Sequence, residues 1–133
     1  MSVILKEVRR GRSCRILAMG SEAGCQLLEF LGDLKDSDPD ELGRITALLD
    51  RTAEHGPPRN EEKCRFFRDL QAFELKTRGG IRVMAFWDED RLIVCSHGFM
   101  KKSQKTPKGE LDRVAKAQRD YFDAKRLNRL MFA

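Results

Sequence analysis

The sequence lacks the features that mark metal-binding, membrane and secreted proteins. Its four cysteines stand far apart, without the closely spaced pairs that zinc sites use, at positions Cys14, Cys25, Cys64 and Cys95. We therefore expect reduced thiols in a core, in a cytoplasmic protein without a metal site or cofactor. No apolar run reaches the roughly 18 residues of a transmembrane helix. The N-terminal residues also lack the apolar stretch of a secretory signal.

Charge is plentiful, and it is unevenly distributed. The net charge is +5, yet residues 97–133 hold ten Lys and Arg against four Asp and Glu. The first 96 residues hold sixteen basic and seventeen acidic side chains. The whole positive excess therefore lies in the C-terminal quarter. This asymmetry favours an anionic partner, most often a nucleic acid, although a basic face that only aids solubility is the alternative.

Two helices are predicted in the first half of the chain. Apolar residues recur at helical spacing over 23–34, with Ser21 as the candidate N-cap. The second helix has a stronger start signal, because Asp38 can cap it, Pro39 takes its first position and Glu41 completes a capping box. A Gly-Pro-Pro segment ends it. We expect the pair to form a hairpin that covers one face of a sheet.

Four strands and a C-terminal helix complete the predicted elements. Residues 13–19 favour an edge or first strand, and the other strands are expected at 73–76, 81–87 and 92–99. Thr106 is expected to cap the last helix, whose apolar side would carry Leu111, Val114, Ala115, Tyr121, Phe122 and Leu127. We interpret 1–133 as one domain, with 1–12 as an N-terminal extension and 124–133 as the end of the last helix or a tail.

The loop lengths predict a strand register. A three-residue loop at 78–80 would place Lys76 opposite Arg82, and a two-residue loop at 89–90 would place Arg82 opposite His97. Because side chains alternate along a strand, one face would then carry Glu74, Lys76, Arg82, His97, Phe99 and Lys101. The far end of the sheet would be apolar, with Met84, Phe86, Ile93 and Cys95. A slip of one residue in either hairpin would scatter the cluster over both faces.

Such a cluster has the groups that RNA cleavage by the RNA's own 2′-hydroxyl requires. Arg82 presents a fork of donors that can stabilise charge at phosphorus. His97 titrates nearest neutral pH and suits proton transfer. Ammonium groups crowded by other cations hold their protons less tightly, so Lys76 and Lys101 could share that transfer. Glu74 would act as a base or would orient a cation, and no metal ion is required.

Each of these residues also has a structural alternative. Arg82 could simply form a salt bridge with Glu74, and His97 could be a buried structural histidine. The lysines of the loop at 101–105 could be only solvated, and Phe86 and Trp87 could be core residues rather than platforms for bases. Candidate RNA contacts are the loop and helix cations Lys102, Lys105, Lys108, Lys116 and Arg119.

Three segments give the chain a family resemblance: FELK at 73–76, IRVMAFW at 81–87, and HGFMKKSQKTPKGEL at 97–111, followed by a basic helix. Together they resemble the RelE/HigB-type toxins, and most closely the phage-derived branch called Gp49-like, over roughly residues 13–123. Glu74 and Lys76 fall on the family's Glu-Leu-Arg/Lys strand, and Arg82 falls on its strand arginine. The closing motif takes in His97, Phe99, Lys101, Lys102 and Pro107.

The resemblance implies a RelE-like α+β fold, with a small antiparallel-dominated twisted sheet packed against an N-terminal helical hairpin and followed by a C-terminal helix. It also implies the toxin of a type II toxin–antitoxin system, an endoribonuclease that cleaves mRNA in the ribosomal A site without metal. The implied partners are mRNA, the ribosome and a helix-turn-helix antitoxin. A non-catalytic RNA- or ribosome-binding accessory protein is the alternative, as is a domain that only receives an acidic antitoxin segment.

Overall fold

A mixed β-sheet forms the centre of the molecule. The computed structural model describes residues 2–101 and 105–133, and in that part of the chain it has seven strands and three helices. The strands are β1 (Val3–Arg10), β2 (Arg15–Gly20), β3 (Cys64–Phe67), β4 (Ala72–Lys76), β5 (Ile81–Asp88), β6 (Leu92–Met100) and β7 (Leu130–Phe132). The helices are α1 (Gln26–Ser37), α2 (Pro39–His55) and α3 (Lys108–Arg126).

The strand order is β3-β4-β5-β6-β2-β1-β7. β3 to β6 form an antiparallel meander, and β1 and β2 form an antiparallel hairpin. The hairpin joins the meander through the parallel pair β2–β6, and the short β7 runs parallel to β1. The architecture is therefore mixed α/β, with antiparallel pairs in the majority.

Helices cover both faces of the sheet. The hairpin of α1 and α2 packs on one face, where it buries strand residues such as Ile16, Ala18, Leu75, Ile81 and Val83. α3 packs on the other face against Leu5, Leu17, Met84, Phe86 and Val94. Full burial of one such side chain contributes about 1.5–3 kcal/mol. Each face of β4, β5 and β6 is thus held by its own apolar layer.

The helical hairpin is not N-terminal, because two strands precede it. Residues 3–10, predicted as an extension, form β1, in which only Val3 and Leu5 are buried. This alternation is too short to recognise without its partner strand. β2 was predicted as an edge or first strand, but it lies inside the sheet between β1 and β6. Residues 124–133, predicted as the end of the last helix or a tail, complete α3 at Arg126 and then form β7.

The helix starts were predicted with mixed success. The Asp38 side chain accepts a hydrogen bond from the Glu41 backbone N–H at 3.2 Å, and Pro39 begins α2, as predicted. The Glu41 carboxylate, however, accepts from Thr77 Oγ1 at 2.5 Å instead of turning back to the cap. α1 begins at Gln26, several residues after Ser21, because a turn at residues 21–24 comes first.

All four cysteines are buried free thiols, as expected. Burial raises the pKa of both Cys64 and Cys95 to about 12, and these thiols are therefore protonated at neutral pH. In the described residues, no helix combines the length and the apolar character that crossing a membrane would take.

Candidate functional site

The register of β5 and β6 decides whether the predicted cluster exists. Lys76 pairs with Arg82, as predicted, but Arg82 lies opposite Phe99 and not His97, which lies opposite Met84. Two departures cause this difference. The loop between β5 and β6 has three residues, 89–91, and a bulge in β6 leaves Ser96 unpaired opposite the step from Ala85 to Met84. Each departure shifts the register by one residue, so together they restore the original face.

The predicted face is therefore preserved even though the predicted pair of Arg82 with His97 was wrong. The register places Glu74, Lys76, Arg82, His97 and Phe99 on the face that α3 covers. The apolar end of this face is different from the prediction. Ile93 and Cys95 lie on the opposite face beneath α1 and α2, and Val94 and Leu92 take their place beside Phe86. The bulge explains the exchange, because it inverts the alternation of β6 partway along the strand.

Glu74 and Arg82 form the buried centre of the cluster. Glu74 is fully buried, and its Oε1 lies 3.6 Å from Arg82 Nε. The salt bridge expected as an alternative role for Arg82 therefore exists. Arg82 Nη1 also donates to the backbone oxygens of Thr77 and Ile81, each at 2.9 Å. Among the described residues, neither Glu74 Oε1 nor Arg82 Nε has a hydrogen-bond partner. Burial lowers the pKa of Arg82 while Glu74 opposes that shift, and a guanidinium stays charged.

Thr106 holds the second oxygen of this carboxylate. Its hydroxyl donates to Glu74 Oε2 at 2.8 Å, and the residue is buried. The prediction that Thr106 caps α3 was therefore wrong. Pro107 occupies the N-cap position, and no side chain caps the helix. Thr106 instead connects the segment before α3 to the middle of β4.

Lys76 and Lys101 lie on either side of Arg82. Lys76 is partly exposed at the end of β4, and its Nζ donates to the backbone oxygen of Glu61 at 2.9 Å. Lys101 follows β6, and only 7% of its surface is exposed. Burial lowers the pKa of Lys101, Glu74 raises it, and the neighbouring charges of Arg82 and Lys76 lower it further. Neighbouring cations thus lower the pKa of Lys101, as expected, but burial lowers it more.

His97 occupies a different environment from the predicted one. The ring is fully buried, with Nδ1 2.8 Å from Ser96 Oγ and Nε2 3.2 Å from Glu110 Oε1. Burial and the charge of Arg113 lower the pKa of His97 to about 4, against the opposing effect of Glu110. The imidazole is therefore neutral at pH 7. It has no exposed surface from which to exchange a proton with RNA, and its position fits the structural alternative.

The predicted RNA contacts that the structure describes lie just before α3 and along it. Lys105, Lys108, Lys116 and Arg119 are exposed, and Lys102 lies outside the described residues. Lys116 forms an ion pair with Asp120 at 2.6 Å. The predicted apolar side of α3 was correct at Val114 and Tyr121 but wrong at Phe122 and Leu127, whose side chains are exposed. Phe86 is a core residue, as one alternative held, but Trp87 is exposed and not part of the core.

Two supporting groups went unnoticed in the sequence. Glu110 bridges His97 and Arg113, and the Glu110–Arg113 distance is 2.8 Å. Their spacing of three residues on a helix is a recognisable signal for an ion pair. The contact between Glu41 and Thr77 joins residues 36 positions apart and has no such local signal.

The fold and the site together define a mixed α/β protein with a cationic cluster at one end of a helix-covered sheet. The family model for phage-derived Gp49-like proteins (DUF891) matches residues 32–119, which is more than half of the chain. The protein belongs to this family, whose members are commonly toxin-related. The matched segment contains all five candidate catalytic residues. None of the curated proteins matches the chain.

Proposed function

We propose that this protein is the toxin of a type II toxin–antitoxin system and cleaves mRNA in the ribosomal A site. The observation that carries the proposal is the convergence of Lys76, Arg82 and Lys101 beside the buried carboxylate Glu74. Cations held together in this way stabilise the charge that develops on a phosphodiester during cleavage. The RelE-like arrangement, with residues 1–133 as one toxin domain, is part of the proposal.

The proposed reaction is attack by the RNA's own 2′-hydroxyl. Its oxygen forms a bond to phosphorus and the bond from phosphorus to the 5′-oxygen breaks, leaving a 2′,3′-cyclic phosphate and a 5′-hydroxyl. The lowered pKa of Lys101 suits it to accept the 2′ proton. Lys76, partly exposed, is positioned to return a proton to the 5′-oxygen. Arg82 stabilises the phosphorane-like transition state. This division of labour requires no metal ion or cofactor.

The buried members of the cluster act through the others. Glu74 accepts from Thr106 and lies against Arg82, so it orients the guanidinium. His97 holds Glu110 and the start of α3 next to β6, and we propose it as a positioning residue. The proposed RNA contacts on the loop and α3 are Lys102, Lys105, Lys108, Lys116 and Arg119. The proposed partners are the ribosome and a helix-turn-helix antitoxin, all in the cytoplasm.

One observation favours a second candidate, a non-catalytic RNA- or ribosome-binding accessory protein. Lys101, the proposed base, has only 7% of its surface exposed. As a catalytic group it would have to become accessible on the ribosome. A binding protein has no such requirement, because its exposed cations are sufficient for salt-sensitive binding.

The experiment that separates the two candidates is controlled expression followed by mapping of mRNA 5′ ends. The toxin should arrest growth, be neutralised by co-expression of the neighbouring gene, and produce new mRNA ends that carry a 5′-hydroxyl. Arg82→Ala and Lys101→Ala should lose both the arrest and the new ends. If both variants fold like the wild type and still arrest growth, the proposed site is wrong. Salt-sensitive ribosome binding without new ends would support the accessory protein instead.

A further inference from the structure

A groove of about 630 Å³ lies beside the candidate site, where α2 meets the ends of β3 and β4. We call it the basic groove. Its described lining contains a single acidic residue, Glu62, against five cations: Arg44, Arg51, Lys63, Lys76 and Arg78. Glu62 lies at the rim, 4.0 Å from Arg78, and both side chains are largely exposed. An exposed ion pair of this kind is weak, and one carboxylate can offset only one of the five positive charges. The groove therefore keeps most of its positive charge.

The walls of the basic groove are fixed by packing. Arg44 and Arg51 are seven residues apart on α2, close to two full turns, so both face the same side of the helix. The turn that carries Arg78 is clamped to α2, because Thr77 donates to the Glu41 carboxylate at 2.5 Å. Gly79 lies so close that a Cβ there would come within 2.2 Å of the same carboxylate. On the opposite wall, the Lys63 backbone oxygen accepts from the Lys76 N–H at 2.8 Å.

The cations of the basic groove differ in whether they already form hydrogen bonds or ion pairs within the protein. Arg44 is paired with Glu41, and Lys76 donates to a backbone oxygen. Arg51 and Lys63 are exposed, and their side chains have no hydrogen-bond or ion-pair partner among residues 2–101 and 105–133. They are therefore available to an external anion, and they lie along the same groove as Lys76.

We propose that the basic groove binds the ribose-phosphate backbone of the RNA strand next to the phosphodiester that Arg82 contacts. The inference rests on the proposed function, and Lys76 is the connection: it lines the groove and pairs with Arg82 across β4 and β5. Ammonium and guanidinium groups along a groove neutralise successive phosphates without reading bases. Continuity with the candidate site favours an RNA strand over an acidic protein segment.

The test compares two double variants that each remove two exposed cations. Arg51→Ala/Lys63→Ala changes the groove, and Lys6→Ala/Arg12→Ala is the matched control on β1 and the turn after it. Both are made in an Arg82→Ala background and probed with a fluorescent, uncleavable 2′-O-methyl RNA. The groove variant should bind on the order of tenfold more weakly at 0.1 M salt, and its salt slope should fall by about 1.4, or about 0.7 for each lost phosphate contact. The control should match the parent.

Equal affinities and equal salt slopes for the two double variants would overturn the inference. So would a groove variant that keeps its affinity for RNA but loses affinity for a glutamate-rich peptide, because the groove would then bind an acidic protein segment. This binding assay does not depend on cleavage, so its outcome is separate from the test of the nuclease function. Binding that depends on the groove, together with a wild-type protein that produces no new mRNA ends, would remove the nuclease and keep the RNA-binding surface.

Discussion

The two ends of the cationic cluster differ in their access to solvent. At one end, Lys76 is partly exposed and the Arg82 side chain keeps 12% of its surface accessible. At the other end, His97 and Glu74 are fully buried and bonded to neighbouring side chains. A titratable residue at the expected strand position therefore does not by itself indicate that its side chain contacts the substrate. Lys76 and Arg82 can touch a phosphate, whereas His97 and Glu74 can only hold their neighbours in place.

The Glu74–Arg82 pair connects the two ends. A buried ion pair is weak evidence for stability, because desolvation can exceed the attraction. Here Glu74 Oε1 and Arg82 Nε face each other at 3.6 Å, too far for a hydrogen bond, so the pair recovers only part of its desolvation cost. A buried ion pair that stabilises the fold so little is a candidate for a functional role.

The largest effect is expected when one residue at each end of the cluster is substituted and the two losses of cleavage rate are compared. Arg82→Ala should lower the rate of ribosome-dependent cleavage by about 10²–10³-fold, the usual loss when one donor to a developing negative charge is removed. His97→Gln should lower it by less than about tenfold, since a buried positioning residue acts only through its neighbours. The measurement is single-turnover cleavage on programmed ribosomes. A larger loss in His97→Gln than in Arg82→Ala would reverse the assignment.

Arg82→Ala needs a control because it leaves a buried carboxylate without its cation. The double variant Glu74→Gln/Arg82→Ala removes both charges and should unfold at a temperature closer to that of the wild type than the single variant does. If the double variant regains cleavage, Arg82 serves only to neutralise Glu74. If it stays inactive while folded, Arg82 acts on the RNA.

The buried end should show itself in the dependence of stability on pH. His97 has its pKa lowered from 6.5 to about 4 in the folded protein, so below pH 6.5 the unfolded chain binds a proton there that the folded chain does not. Stability should therefore fall as pH drops from 6.5 towards 4, by about 3 kcal/mol in total from this residue. Urea unfolding at a series of pH values measures the slope.

The second histidine supplies the matched control. His55 is exposed at the end of α2, so His55→Gln should keep the wild-type slope, whereas His97→Gln should flatten it between pH 6.5 and 4. If His97→Gln is too unstable to study, NMR of the wild-type rings provides the same information. A His97 ring that titrates near pH 6.5 would show that it is accessible and would contradict its assignment to the buried end.

The face of the cluster was predicted correctly because that face depends only on whether the register is shifted by an odd or an even number of residues. A three-residue loop and a bulge each displaced β6 by one residue, so Arg82 and Phe99 kept the predicted side although the pair of Arg82 with His97 was wrong. A single displacement would have inverted the prediction. Ile93 and Cys95, which precede the bulge, show that inversion directly. Bulges carry no dependable signal in one sequence, so the correct face was in part a fortunate cancellation.

Burial could not be predicted in the same way. His97 and Glu74 are covered by α3 and by the segment around Thr106, and these contacts span from 13 to 32 residues along the chain. Helical periodicity indicated that α3 has an apolar side, but it does not say which strand residues that side covers. β1, β3 and β7 were also missed, because β3 and β7 are short and β1 has only two buried side chains, Val3 and Leu5.

The smallest of these effects is expected at Thr106, where the buried end is held in place. Thr106→Val keeps the shape of the side chain but removes the donor to Glu74 Oε2, and it should cost about 1–2 kcal/mol in the free energy of unfolding. Thr106→Ser should restore most of that stability. Thr46→Val is the matched control, since that hydroxyl bonds only to carbonyl oxygens of its own helix. Equal losses at Thr106 and Thr46, measured by urea unfolding, would mean that Glu74 does not depend on this contact. The orientation of Glu74 would then depend on Arg82 and not on Thr106. In that case Arg82, at the exposed end, would position the buried carboxylate, and not the carboxylate the guanidinium.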